Sequence, residues 1–381
     1  MNAKVEALLA KLSGNSTINI IDITDPGKDL DDEQKFLLLA GLQRAGLVNV
    51  MGVVANLDPP KDRAKLAKGT FKMLNMPDVP VGVGSDCFKG GQNLKHETDV
   101  FYATGVKEDE LEHGMDLLLR LLDTADDKSV TICCNSGLTD MARLCMMWPD
   151  LVIQKVKEVV IMGGVQAVQE PSAVGAPPTL ATVAGPDKVR YLVPDDAANN
   201  AFDWPAAVYL YQWLQENNVP MVVFMRWAPY ACQFPFSVYD QFAETSNPIG
   251  ANLLDRQKPS INQLWAAANA PEGSPVRGKL PMSRNRQWFV DVFCKGKDPG
   301  IGGEDEVWPF VGDYNQYDPM AVAAAVPAIR DMFFDTVEIK VKGTTHLVIG
   351  PTKEWHCVKE ANGLRDLIVG LEVDALNAGV F

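Results

Sequence analysis

No apolar run in these 381 residues reaches bilayer-spanning length, so no membrane-spanning helix is expected. Residues 1–13 alternate Lys and Glu with Leu and Ala and lack the unbroken apolar core of a signal peptide, which suits a short amphipathic helix instead. Basic side chains are scarce: 35 Lys and Arg stand against 49 Asp and Glu, giving a formal charge of −14 and a pI near 4.8. That balance opposes nucleic-acid binding, which depends on neutralising phosphates, and favours small neutral or cationic ligands. The seven cysteines are an odd number without metal-ligand spacing, and Cys133-Cys134 lie in an apolar strand-like run where thiols serve as small core residues. A reduced, cytoplasmic protein is expected. Linkers, low-complexity tracts and solenoid-spaced repeats are also missing, so 1–381 reads as one large domain.

What the chain does have is alternation. Short β-branched runs at 18–23, 48–54, 79–83, 130–134, 159–162 and 219–224 take turns with helix-like stretches at 33–45, 61–74, 110–123, 139–147 and 205–216. This order predicts an α/β fold: a mainly parallel, doubly wound, Rossmann-like sheet with helices on both faces and loop insertions. In such sheets ligands collect at the carboxyl ends of the strands. Residues 247–303, rich in Pro, Asn, Gly and Arg, read as a long insertion or lid; a helix at 319–333 and strands at 336–341 and 346–349 are expected to close the chain.

The densest chemical signal sits directly after the first strand. Asp25-Pro26-Gly27-Lys28-Asp29-Leu30-Asp31-Asp32 packs four aspartates into eight residues. Two carboxylates about 4 Å apart repel by roughly 4 kcal/mol at an effective dielectric of about 20, so the cluster needs a cation, shared protons or solvent. Oxygen-only ligands point to Ca²⁺ or Mg²⁺. The plainer reading is a solvated acidic turn, with Asp29 or Asp31 capping the next helix.

Further segments fall into a recognisable order: Val53-Val54-Ala55-Asn56, Ser136-Gly137-Leu138-Thr139-Asp140, Val159-Val160-Ile161-Met162-Gly163-Gly164, Asn199-Asn200-Ala201-Phe202-Asp203 and Tyr317-Asp318-Pro319-Met320-Ala321. Together with Asp25-Pro26-Gly27 and Asp31-Asp32 they resemble the Ca²⁺-dependent nucleoside hydrolases (nucleoside N-ribohydrolases) over nearly the whole chain. The resemblance implies hydrolysis of the N-glycosidic bond of a nucleoside or related N-glycoside by a calcium-activated water, with Asp25 as general base. It implies calcium ligands Asp25, Asp32, the carbonyl of Thr139 and Asp318. Asp31 or Asp29, Asn56, Met162 and Asn199 would bind the substrate, and a homodimer or homotetramer is expected.

The pattern is not met everywhere. Lys28-Asp29-Leu30 stretches the first motif by two residues, so either Asp29 or Asp31 can hold the sugar. Ala197 stands where the family has a Glu, with Asp195 and Asp196 nearby, and Tyr317 replaces a His that protonates the leaving base. Tyr is a weak acid at neutral pH. Trp204, Trp227, Tyr230, Trp288 and Trp308 are candidates for stacking on a base, and no spacing singles out His96, His113, His346 or His356 as the acid. Two other readings compete. One is a binding protein that keeps the calcium cage without turnover; the other is a haloacid-dehalogenase-type phosphatase built on Asp22, whose Asp-x-Asp pattern is one residue too wide here.

Overall fold

The structure is a computed structural model that describes residues 3–27, 30–87, 98–168, 191–278 and 280–379. Among these the strands are β1 (Ile18–Thr24), β2 (Val48–Ala55), β3 (Val81–Val83), β4 (Glu112–His113), β5 (Val130–Cys134), β6 (Val156–Gly163), β7 (Val165–Val168), β8 (Tyr191–Pro194), β9 (Met221–Met225), β10 (Phe234–Pro235), β11 (Asp313–Tyr314), β12 (Val337–Val341) and β13 (Thr344–Ile349). Nine of them form one sheet in the order β12-β13-β9-β6-β5-β1-β2-β3-β4. Every pairing in it is parallel except that of β12 with β13. The sheet is therefore the mainly parallel, doubly wound one that the alternation predicts. It winds outward in opposite senses from β1 and β5, so the topological switch point lies at their carboxyl ends, which is where such folds bind ligands.

Strands β1, β5 and β6 are apolar on both faces because helices cover both, and Ile20, Ile21, Ile23, Ile132, Val159, Val160 and Ile161 are all buried. Helix Asp31–Arg44 lies unusually deep, with Glu33, Gln34 and Lys35 enclosed along with Phe36 to Leu42. At Gly41 this helix meets Ala361–Ala378 so closely that an added Cβ would lie 2.5 Å from the Leu371 carbonyl oxygen.

The described residues form two compact units, one made of those up to Cys232 together with those from Tyr317 onward, the other of Gln233–Gln316. The second unit spans the whole of 247–303, the stretch the sequence suggests is an insertion or lid, yet much of it is helical. Helix Pro248–Asn269 runs straight through Pro259, capped by the Asn247 side chain and held by Ile249, Leu253, Ile261, Trp265 and Ala268 on its buried side. Two other expectations need correcting. The single helix expected at 319–333 is two, Asp318–Ala325 and Pro327–Phe333, because Pro327 forces Val326 into an extended conformation. Beyond the last strand comes helix Ala361–Ala378, which packs Leu364, Leu367, Ile368 and Leu371 into the core. No described helix is long and apolar enough to cross a membrane.

Candidate active site

Two of the expected cage carboxylates, Asp32 and Asp318, meet around a lysine, together with Asp22. Asp22 and Thr24 come from β1, Asp32 from the first turn of helix Asp31–Arg44, and Asp318 from the first turn of helix Asp318–Ala325. The Lys35 ammonium lies 2.7 Å from Thr24 Oγ1, 3.2 Å from Asp32 Oδ1, 3.2 Å from Asp318 Oδ2 and 3.3 Å from Asp22 Oδ2. Thr24 in turn donates its hydroxyl to Asp32 Oδ1. The Lys35 side chain is wholly buried. Burial alone would lower its pKa, but Asp22, Asp318 and Asp32 overcome that and hold the ammonium well above the usual lysine range. Asp22 is enclosed as well, with Oδ1 accepting from Asn135 Nδ2 at 2.8 Å, so the phosphatase reading has no accessible nucleophile.

Asp25 lies one residue beyond β1 and is half-buried. Burial first, and the charge of Asp32 second, push its pKa well above the usual carboxylate range against the pull of Arg63, Ser136 and Lys35. Its backbone is held from below by Arg63, whose guanidinium donates to the carbonyls of Asp25 (2.5 Å), Pro26 (2.8 Å) and Leu57 (3.0 Å). Asp318 is pushed well up too, chiefly by burial, with Lys35 opposing and Asp32, Asp31 and Asp25 adding to the rise. Asp31 turns one oxygen to the backbone, Oδ2 accepting from the N–H of Tyr317 at 3.1 Å and of Asp318 at 3.4 Å. It thereby caps the helix that carries Asp318. Asp29 lies outside the described residues.

Asn56 and Thr139 form a second group, at the ends of β2 and β5. Asn56 is fully buried: its Nδ2 donates to Gly137 O at 2.9 Å and Asp140 Oδ2 at 2.8 Å, and its Oδ1 accepts from Ser136 Oγ at 2.5 Å. Its amide is thus engaged in shaping the 136–140 loop, where sequence alone placed it against a sugar. Thr139 donates its hydroxyl to Asp203 Oδ2 at 2.6 Å, and Asp203 also caps helix Trp204–Glu216. At the end of β6, Asn199 Nδ2 donates to the Met162 carbonyl at 2.9 Å, bringing these two expected residues together and leaving the Asn199 amide oxygen without a hydrogen bond among the described residues. Near Ala197, Asp195 accepts from the Ala197 N–H at 2.9 Å and pairs with Arg226, as does Asp196.

The aromatic and histidine candidates scatter. Trp227 and Tyr230 pair with ring centroids 5.7 Å apart, and Trp204 is partly exposed. Trp288 and Trp308 belong to the second unit, where they pack on Phe293 and Phe236 respectively. His113 is exposed on the short edge strand β4, His356 is exposed and His346 is buried in β13; His96 is outside the described residues.

A strand-end Asp at the switch point of a doubly wound sheet, with a second Asp brought in by a late Asp-Pro helix start, is the arrangement that the resemblance to nucleoside hydrolases implies. The chain belongs to the inosine-uridine preferring nucleoside hydrolase family, whose family model matches residues 20–375. A curated inosine-uridine preferring nucleoside hydrolase from Leishmania major is 30% identical over 149 residues, 37% of this chain and 46% of that protein. The match spans about half the length of that relative. Among solved structures, the type III effector protein XopQ, complexed with adenosine diphosphate ribose, is similar with a TM-score of 0.81 and 26% identity, covering 99% of this chain and 100% of that one. A purine-preferring ribonucleoside hydrolase from Gardnerella vaginalis shares the fold at a TM-score of 0.55 and 14% identity, over 94% and 99% of the two chains.

Nucleoside hydrolases are metal-dependent as a family. Calcium would ask for about six to eight oxygens at roughly 2.3–2.6 Å. Here Lys35 already engages one oxygen each of Asp32 and Asp318, and no group of three or more His, Cys, Asp or Glu among the described residues is disposed to hold a metal ion. The side chains as they stand do not fit calcium. Sequence reasoning missed Lys35 itself. The available signal was a lone lysine three residues after Asp32, opening the otherwise apolar run Phe36 to Ala40.

Proposed function

We propose that the chain hydrolyses the N-glycosidic bond of a ribosyl compound to free base and sugar, with Asp25 as general base. The observation that carries this reading is the place and tuning of Asp25: half-buried beside the switch point, with a pKa pushed upward. A carboxylate so tuned is a better proton acceptor from water near neutral pH than an ordinary aspartate. Breaking the bond builds positive charge on the ribose ring. Asp22, Asp32 and Asp318 surround one ammonium, and the excess of negative over positive charge there favours that developing cation. Asp31 or Asp29, with Asn199 and the Met162 backbone, would hold the sugar, while Asn56 positions the 136–140 loop. Calcium, which the resemblance implies, takes no step in this reading because Lys35 stands among its expected ligands.

A second reading is favoured by the same lysine: retention of a ribosyl ligand without turnover. XopQ was solved with adenosine diphosphate ribose, so ligands with a ribosyl diphosphate belong in the test. A panel of purine and pyrimidine nucleosides, assayed for released ribose, and calorimetry with adenosine diphosphate ribose separate the two. Ribose release that disappears in Asp25→Asn supports hydrolysis. Saturable binding with no release from any nucleoside replaces it with the binding reading.

A further inference from the structure

The carboxylate cluster contains its own cation. Lys35 Nζ has Thr24 Oγ1, Asp32 Oδ1, Asp318 Oδ2 and Asp22 Oδ2 within 3.3 Å, drawn from β1 and from two helices. A buried lysine of this kind is tolerated only where charge partners and hydrogen bonds compensate for lost hydration, and here an i,i+3 partner and two distant carboxylates do so. The ammonium draws Asp32 and Asp318 toward one point from opposite ends of the chain, which is the structural service a divalent ion would give. A calcium ion among the same oxygens would have to share them with a positive charge.

We propose that Lys35 is the resident cation of this site, standing in for a divalent metal, so that the cluster is assembled and the chain folds without one. The inference concerns the same site as the proposed reaction, but it makes no use of turnover. Fixed charge in place of an exchangeable ion also means that chelators leave the site intact.

Calorimetric titration of the wild-type chain with CaCl₂, with thermal unfolding in chelator and in calcium, tests the proposal. No saturable calcium heat and an unchanged melting temperature are expected. Lys35→Gln should melt lower in chelator and bind one calcium per chain at least about tenfold more tightly than the wild type, since the competing charge is gone. Adding Asp318→Asn to Lys35→Gln should abolish that binding. A wild-type chain that binds one calcium, with the binding lost in Asp32→Asn or Asp318→Asn, overturns the proposal. So does a folded Lys35→Gln chain that takes no calcium. If Lys35→Gln does not fold, the wild-type titration and chelator melt still decide.

Discussion

Lys35 and Asp318 lie 283 positions apart in the chain and meet at 3.2 Å, in a site where neither side chain has appreciable solvent contact. The pair joins the helix that follows the first strand to the helix that opens the last part of the chain. Asp31 reinforces the join by accepting from the N–H groups of Tyr317 and Asp318. Charge and capping thus fix one junction from two sides.

Loss of the buried cation should be expensive. Lys35→Ala leaves Asp22, Asp32 and Asp318 facing one another, and removing one partner from a buried ion pair typically costs about 3 to 5 kcal/mol. Urea unfolding should show a lower midpoint with an unchanged slope. A loss below about 1 kcal/mol would mean that the cluster relaxes by protonation or hydration.

Turnover should depend on Asp25 through its proton, not through the fold. Asp25→Asn is expected to lower kcat by about 10² to 10⁴ with the melting temperature nearly unchanged. Because the Asp25 pKa is raised, the wild-type kcat/KM should fall on acidification through a limb above the usual aspartate value near 3.8. A pH–rate profile flat down to pH 4 would remove Asp25 from the role of base.

Asp31→Ala should cost about 0.5 to 2 kcal/mol because it uncaps helix Asp318–Ala325, and Asp31→Asn, which keeps an acceptor oxygen, should recover most of it. Steady-state kinetics then decide between the two sugar-binding candidates. A larger loss of kcat/KM for Asp29→Ala than for Asp31→Asn assigns the sugar to Asp29; the reverse assigns it to Asp31.

His346 gives a test of folding energetics on a residue that is not one of the proposed site residues. Its Nδ1 accepts from the Met221 N–H at 3.1 Å, and burial lowers its pKa from 6.5 to about 4. A histidine with a depressed folded pKa contributes stability that is fully present above about 6.5 and lost as pH falls toward 4. The loss amounts to about 3 kcal/mol over that window. His346→Asn, which retains an acceptor without titrating, should flatten this part of the stability curve in urea titrations at pH 7, 5.5 and 4.

Much of the architecture was legible because strand and helix periods differ, and the six motifs fall in order at strand ends and helix starts. The meeting of Asp32 with Asp318 accords with what the family resemblance carried by those motifs implies. Lys35 was not legible, since an i,i+3 Asp-Lys pair reads as a surface ion pair until Asp22 and Asp318 are seen to bury it. Nor was helix Pro248–Asn269, where Gly250, Asn252 and Pro259 weaken local propensity while Leu253, Ile261 and Trp265 supply the packing that outweighs it. Helix Ala361–Ala378 was readable, through Leu364, Leu367, Ile368 and Leu371 at helical spacing, and was passed over.

The tight crossing of Gly41 against Leu371 places a demand on synthesis. Helix Asp31–Arg44 leaves the ribosome before the backbone that covers it at Gly41, which comes some 330 residues later. At about 5 to 20 residues per second the wait is roughly 15 to 70 s. Through that interval a helix with four Leu, a Phe and the charge of Lys35 has neither its cover nor Asp318, which makes it a natural client for chaperones. Slowing translation between Gly41 and Leu371 should lengthen that exposure and lower the yield of folded chain.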